Sequence, residues 1–368
     1  GDSFQSGGSY VRGLEATKNA SVSFINCAEA TRLIISAASS AINPKLALYV
    51  NGTKVKDIDL KETGRGNGEF AMRMVTVDVD IKDGDTIMLR NDAGANLGAN
   101  VDFIGLTTAN NKAFADAIDT SYAMNQMDYT PATWAFYQNE FFAALDIYAS
   151  CPSQAVVDAS AQRLIGSMAD LRTAPYMSGK IEAEWGKKYG SAYNQSESTA
   201  SGRYKVGSID HARAAVEFSN LAATDTLIIA AASGNASPKL NYYKNGTLVK
   251  ALSFEKTSGS WNAPYKEITF TGLDIIDGDT IKLQFDSGSS AANIDYIVIP
   301  AKKADLAAKI TQADTLAAGD YKAASWTALQ NVLTIAKKVN NDKYVTNEDV
   351  AEAKANLQDA IDALVGVD

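Results

Sequence analysis

Histidine is almost absent: His211 is the only imidazole in 368 residues. Ser-His-Asp, Cys-His and multi-histidine metal chemistries would all have to converge on that one side chain, which sets them aside. Cysteine is nearly as scarce. Cys27 and Cys151 fall in a predicted strand and a predicted helix-to-helix connection of different domains, so no bridge between them is expected and each reads as a small buried hydrophobe. No run of about 18 apolar residues is present to span a bilayer. Basic residues are outnumbered, 34 Lys and Arg against 43 Asp and Glu, and the net charge of −9 argues against nucleic acid or an anionic membrane surface as partner. The chain opens on Gly1-Asp2-Ser3-Phe4, without a methionine or a basic-then-apolar leader, and reads as an excised fragment.

What is present is enough apolar residue, 46%, to build real cores, and a length that implies two to four domains. The second half echoes the first. Pro44-Lys45-Leu46, Tyr49 and Asn51-Gly52-Thr53 recur as Pro238-Lys239-Leu240, Tyr243 and Asn245-Gly246-Thr247. Ile81-Lys82-Asp83-Gly84-Asp85-Thr86-Ile87 recurs as Ile275-Ile276-Asp277-Gly278-Asp279-Thr280-Ile281, and Asn100-Val101-Asp102-Phe103-Ile104 as Asn293-Ile294-Asp295-Tyr296-Ile297. Tyr129-Thr130 with Thr133-Trp134 recurs as Tyr321-Lys322 with Ser325-Trp326. The chain therefore spans almost two copies of one unit, as if cut from a longer array.

Each unit has a β part and a helical part. Alternating runs such as Leu46-Ala47-Leu48-Tyr49-Val50 and Val75-Thr76-Val77-Asp78-Val79 are the pattern of half-buried antiparallel strands. Asn51-Gly52 and Asn245-Gly246 fit the type I′ hairpin, and this explains them better than the glycosylation sequon they also match. Asp83-Gly84-Asp85 and Asp277-Gly278-Asp279 read as tight turns rather than calcium loops, because the other ligands of such a loop are missing. Residues 107–174 and 301–366 carry a 3.6-residue period, each long enough for three helices. Thr346 with Asp349 resembles a capping box, and Ser153 stands at the equivalent start. Trp134 and Trp326 read as core anchors of small bundles. The expected fold is multidomain: all-β jelly-roll sandwiches at 1–106 and 176–300, alternating with all-α three-helix bundles at 107–175 and 301–368.

Lys180-Ile181-Glu182-Ala183-Glu184, the Asn-Gly hairpin, Gly259-Ser260-Trp261-Asn262, the Asp-Gly-Asp-Thr-Ile strand entry and Asn293-Ile294-Asp295-Tyr296-Ile297 together resemble the β-sandwich carbohydrate-binding modules of families 6 and 35. The helical segments, with a Tyr–x–x–Ser/Thr-Trp start and a Leu–x–x–Ala-Ile–x–x–Leu close, resemble FIVAR repeats of secreted Gram-positive surface proteins and glycoside hydrolases. The first resemblance implies a structural calcium held by Glu182, Glu184 and Asp295 in the second module. The competing reading is that Glu-Ala-Glu alternation merely puts two carboxylates on one strand face. The first module keeps Asp102 but has no Glu-x-Glu strand before it.

The same resemblance implies a sugar site with an aromatic platform and an amide, a ring face burying the apolar face of a pyranose while Asn orients its hydroxyls. In the second module these are Trp261, Asn293 and Tyr204; Trp185 reads as packing. The first module lacks the tryptophan and leaves Phe70, Asn100 and Tyr10. The expected function is non-catalytic binding of a polysaccharide or host or plant glycan by tandem modules, within a secreted or cell-surface multimodular protein, monomeric, whose enzyme domain, if any, lies elsewhere. The alternative is a structural spacer or adhesin-like protein-interaction segment. Scattered acidic residues without a repeated pair argue against a glycosidase.

Overall fold

The computed structural model describes residues 10–367 except 15–16, 40, 42, 64–71, 235–236, 258–260, 263 and 286–290. Seven strands come first: β1 (Ser21–Cys27), β2 (Ala30–Ala38), β3 (Lys45–Val50), β4 (Thr53–Asp59), β5 (Arg73–Ile81), β6 (Asp85–Arg90) and β7 (Asn100–Thr107). They form two antiparallel sheets, ordered β1-β6-β3-β4 and β5-β2-β7. Leu33 and Ile35 of one sheet meet Leu46, Leu48, Ile87 and Leu89 of the other in a single core. Period-two alternation accounts for this, each strand sending every second side chain inward.

Three helices follow: α1 (Lys112–Ala123), α2 (Pro131–Ala149) and α3 (Gln154–Ala169). Phe114, Ile118, Tyr137, Tyr148 and Leu164 form their core, and Ile34, from the outer face of β2, belongs to it too. The helices thus pack on the back of the β5-β2-β7 sheet.

The second β part runs β8 (Gly179–Glu182), β9 (Lys187–Tyr189), β10 (Tyr193–Ser196), β11 (Tyr204–Gly207), β12 (Ala215–Leu221), β13 (Thr224–Ala232), β14 (Lys239–Lys244), β15 (Thr247–Ser253), β16 (Lys266–Ile275), β17 (Asp279–Gln284) and β18 (Asn293–Ile299). One sheet is β15-β14-β17-β12-β9; in the other, β10-β11-β18-β13-β16 are joined by β8 on β18. This sandwich repeats the first and adds to it. β8 and β9 cover the edges of β18 and β12, and Val216, Phe218, Ile297 and Ile299 are fully buried. Among the described residues the first sandwich has no such strands, and the corresponding Val22, Phe24, Ile104 and Leu106 are only partly buried. The chain closes with α4 (Ala304–Asp314), α5 (Ala323–Asn341) and α6 (Asn347–Asp362), packed through Leu306, Leu329, Leu333, Val350 and Leu357.

The turn chemistry follows the sequence. Asn51 (φ 49°) and Gly52 (φ 80°), like Asn245 (φ 49°) and Gly246 (φ 78°), hold the two positive φ values of a type I′ hairpin. The Asp-Gly-Asp acids are used up by backbone: Asp85 accepts from the Lys82 N–H at 2.8 Å and the Asn51 amide at 2.7 Å. Asp279 does the same with Ile276 and Asn245. Trp134 stacks on Tyr129 and Trp326 on Tyr321, with ring centroids 5.8 and 6.1 Å apart, each against its helical core. Both cysteines are free thiols.

Thr346 and Asp349 form a complete capping box at the start of α6. Ser153 differs: it occupies the N-cap of α3 but its hydroxyl makes no capping hydrogen bond. Thr346→Ala should therefore cost about 1 kcal/mol of stability and Ser153→Ala only a few tenths. Paired urea titrations of the two variants would check this, and equal losses would contradict it.

Candidate functional site

Two groups of predicted residues gather at one end of the second sandwich. β8 runs antiparallel to β18, with Glu182 opposite Tyr296 and Ile181 opposite Ile297. The strand stops at Glu182 and enters a 3₁₀ turn, Ala183–Trp185, so Glu-Ala-Glu is only half strand. Alternation nonetheless persists across the junction: Ile181 and Ala183 are sealed in the core while Glu182 and Glu184 face away from it.

The Ser201-Gly202 turn joins the two glutamates to Asp295. The Ser201 hydroxyl donates to Glu182 Oε1 at 2.7 Å, and the Ser201 N–H donates to Asp295 Oδ1 at 2.8 Å. Gly202 has φ +62°, and a Cβ there would stand 2.7 Å from Glu184 Oε1, so the close approach and the backbone conformation both call for glycine. Asp295 is 3% exposed. Burial, assisted by the charges of Glu182 and Glu184 and opposed by the Ser201 N–H, pushes its carboxyl up to about 7. Burial likewise raises the Glu184 carboxyl, with Glu182 adding to it. Two ammonium groups adjoin the cluster: Lys180 Nζ lies 3.1 Å from Glu182 Oε1 and 4.3 Å from the Tyr296 ring centroid, and Lys188 Nζ donates to the Glu184 backbone carbonyl at 2.8 Å.

Three carboxylates thus outnumber the two ammonium groups beside them, and two of their oxygens, Glu182 Oε2 and Glu184 Oε2, are buried without a hydrogen-bond partner. Such atoms cost about 1–3 kcal/mol each when left unmet. Hard anionic oxygens of this kind suit a calcium ion. Among the described residues no three Asp, Glu, His or Cys side chains stand in a ligating arrangement. The three carboxylates are held around Ser201 rather than around a common centre. Asp102 is not gathered into any such group: its Oδ2 accepts from Ser36 Oγ at 3.4 Å.

The second group surrounds the loop carrying Trp261. The indole is 37% exposed. Its backbone carbonyl is pinned from below by Asn293 Nδ2 at 2.7 Å and Lys205 Nζ at 3.1 Å, and Lys205 also donates to the Asn262 side-chain oxygen. Lys205 is 3% exposed, and burial lowers its pKa against the opposing pull of Glu197. Beside the loop lies a cleft of about 370 Å³ lined by Tyr193, Gln195, Glu197, Lys205 and Asn262 among others. The lining takes in the whole of β10, Tyr193 through Ser196, and Glu197 beyond it, so the cleft runs along that strand.

The remaining predicted residues stand differently. Asn293 is buried, and its amide orients the Trp261 loop rather than facing solvent. Tyr204 is exposed, but alternation along β11 places it on the side of Val206, opposite Lys205 and the cleft. Trp185, expected to pack, is exposed. Asn100 is buried at the start of β7, as Asn293 is at the start of β18. The Tyr10 hydroxyl accepts from Arg12 Nε at 2.7 Å, and Phe70 lies outside the described residues. His211 pairs with Asp210 at the surface, apart from both groups. Lys205, Gln195 and Asn262 were not expected. The one sequence signal for them was a lysine inside an otherwise apolar strand.

No family model matches the chain, and no curated protein matches it. Among solved structures it is similar to a family 35 carbohydrate-binding module from Clostridium thermocellum, with 26% identity over 33% of this chain and 98% of that one, TM-score 0.31. It is similar to a family 6 carbohydrate-binding module from Clostridium cellulolyticum in complex with xylose, at 18% identity, 33% and 95% coverage and TM-score 0.29. A third likeness is to a Paenibacillus sp. cycloisomaltooligosaccharide glucanotransferase complexed with cycloisomaltoheptaose, at 22% identity, 39% and 21% coverage and TM-score 0.33. At those scores the functional reading rests on the side chains themselves.

Proposed function

We propose that the second sandwich binds carbohydrate at the Trp261 loop, without catalysis, and that Glu182, Glu184 and Asp295 hold a structural calcium ion behind it. The observation that carries this reading is an exposed indole whose backbone is fixed by two buried donors, Asn293 and Lys205, beside a polar cleft. A platform pre-set in this way loses little entropy when a pyranose stacks on it, while Gln195, Tyr193 and Asn262 offer donors and acceptors for hydroxyls. Calcium would supply charge neutralisation to the three carboxylates and tie β8, the Ser201 turn and β18 together beneath the cleft. The helical segments act as FIVAR-like spacers in a secreted or cell-surface protein. The two β units act together on one glycan where the first also binds.

Calorimetric titration of the full chain against neutral and uronic-acid polysaccharides tests the reading. Binding is expected, weakened at least about tenfold by Trp261→Ala, because a sugar–aromatic stack contributes roughly 1–2 kcal/mol. Trp185→Ala, at the other exposed indole, should leave affinity unchanged. Absence of binding across the panel defeats the reading and leaves a spacer or protein-interaction segment.

A further inference from the structure

The seam between the first helical segment and the second sandwich has two counterparts elsewhere in the chain that stand exposed among the described residues. At the seam, the 3₁₀ turn Gln126–Asp128 sits on the bulge of β12 between Phe218 and Leu221. Met127 is 3% exposed and belongs to the second sandwich core. Asn125 Nδ2 donates to Ser219 Oγ at 3.0 Å, and that hydroxyl donates to Asp128 at 2.6 Å. Asn220, held at φ 55°, donates its side-chain amide to the carbonyls of Met127, Ala174 and Pro175.

Both halves of this seam recur. β1 carries the same bulge between Phe24 and Cys27, and Asn26 there has φ 53°, the counterpart of Asn220. Beside it Ile25, in place of Ser219, is 77% exposed. At the other end of the chain, the 3₁₀ turn Ala318–Asp320 repeats Gln126–Asp128, and Val367 N–H bonds to the Asp320 carbonyl as Ala174 N–H does to Asp128. Val365 and Val367 beside it are exposed.

The substitutions between the copies compensate one another. Where the turn of the seam carries the large Met127 and the strand bulge beneath it the small Ser219, the ends carry Gly319 and Ile25. Where the seam has the polar pair Asn125 and Ser219, the ends have the apolar pair Ala317 and Ile25. A Cβ added at Gly319 meets nothing within 4 Å, so there is room beside it. Two exposed surfaces that differ from a formed interface by a matched exchange of volume and polarity are complementary to each other.

We infer that the chain associates head to tail with a second copy of itself, the Ala318–Asp320 turn and Val365–Val367 of one copy seating on the β1 bulge of the next, with Ile25 filling the space beside Gly319. Because the two surfaces are different, the contact is heterologous and does not close on a dimer. The inference is independent of sugar binding.

Sedimentation equilibrium of the full chain from about 10 µM to about 1 mM tests it, the range in which a contact of this modest kind becomes populated. The weight-average mass is expected to rise with concentration and pass that of a dimer. Ile25→Asp should abolish the rise. Ile25→Ser and Gly319→Met should each weaken it about tenfold, and the double variant, which writes the residues of the internal seam into the ends, should recover it. Exposure at Ile25 and open space at Gly319 leave all these variants free to fold. A mass fixed at one chain throughout, a rise indifferent to Ile25→Asp, or a double variant no better than its parents overturns the inference.

Discussion

Calcium in hundredfold excess over its dissociation constant should stabilise the second sandwich by about 2.7 kcal/mol and reverse the sign of its pH dependence. The sign follows from proton uptake. The Asp295 carboxyl is pushed up to about 7 in the folded chain by burial and by its two glutamate neighbours, from an ordinary value of 3.8. Between those values the folded state binds more protons than the unfolded one, so the stabilisation is fully present below 3.8 and is lost as pH rises through 7. Burial raises Glu184 in the same direction. A bound calcium ion favours the ionised forms, so the metal-loaded protein should instead lose stability on acidification. Thermal melts at pH 5 and pH 8, with calcium and with chelator, would show both effects. Asp295→Asn should shrink the metal-free slope to the part that Glu184 supplies. Melts identical with and without calcium at both pH values would remove the metal from the reading, while leaving the Trp261 platform to be judged by titration.

Local rules carried the sequence reading where a few adjacent residues decide the outcome. The Asn-Gly hairpins, the Asp-Gly-Asp turns and the Thr346–Asp349 box all satisfy their own backbone within four or so residues, so their chemistry is visible in the string. Facing within a strand was also legible: Glu182 and Glu184 face away from the core that seals Ile181 and Ala183. What failed was partner choice across long separations. Asn293 has the right chemistry for a sugar hydroxyl, but a carbonyl 32 residues earlier claims its amide. Trp185 follows a buried strand yet stands at the point where the chain turns outward. Lys205 escaped notice because alternation assigns a side chain to a face, whereas burial of its ammonium depends on the loop 56 residues later that covers it.

Met127 shows the same limit at the scale of whole units, and it sets the second large effect. Its side chain belongs by sequence to the first helical segment and by burial to the second sandwich. Met127→Ala should cost about 2–3 kcal/mol, the price of deleting a buried methionine whose surroundings are fixed by two separately folded cores. The loss should fall on the seam. With Met127 gone, the seam keeps the hydrogen bonds of Asn125, Asp128 and Asn220 and the Met177–Leu221 bridge, with Met177 packed on the sandwich core. Such part-buried polar contacts contribute about 1 kcal/mol apiece. The first helical segment and the second sandwich should then unfold in separate calorimetric transitions, where the parent chain couples them, and small-angle scattering should report a wider spread of particle sizes. Ser219→Ala, which removes polar contacts at the seam but keeps the methionine, should leave the coupling in place. If Met127→Ala melts as the parent does, the thioether is packing without coupling, and any coupling of the two units comes from the backbone bridge between Met177 and Leu221.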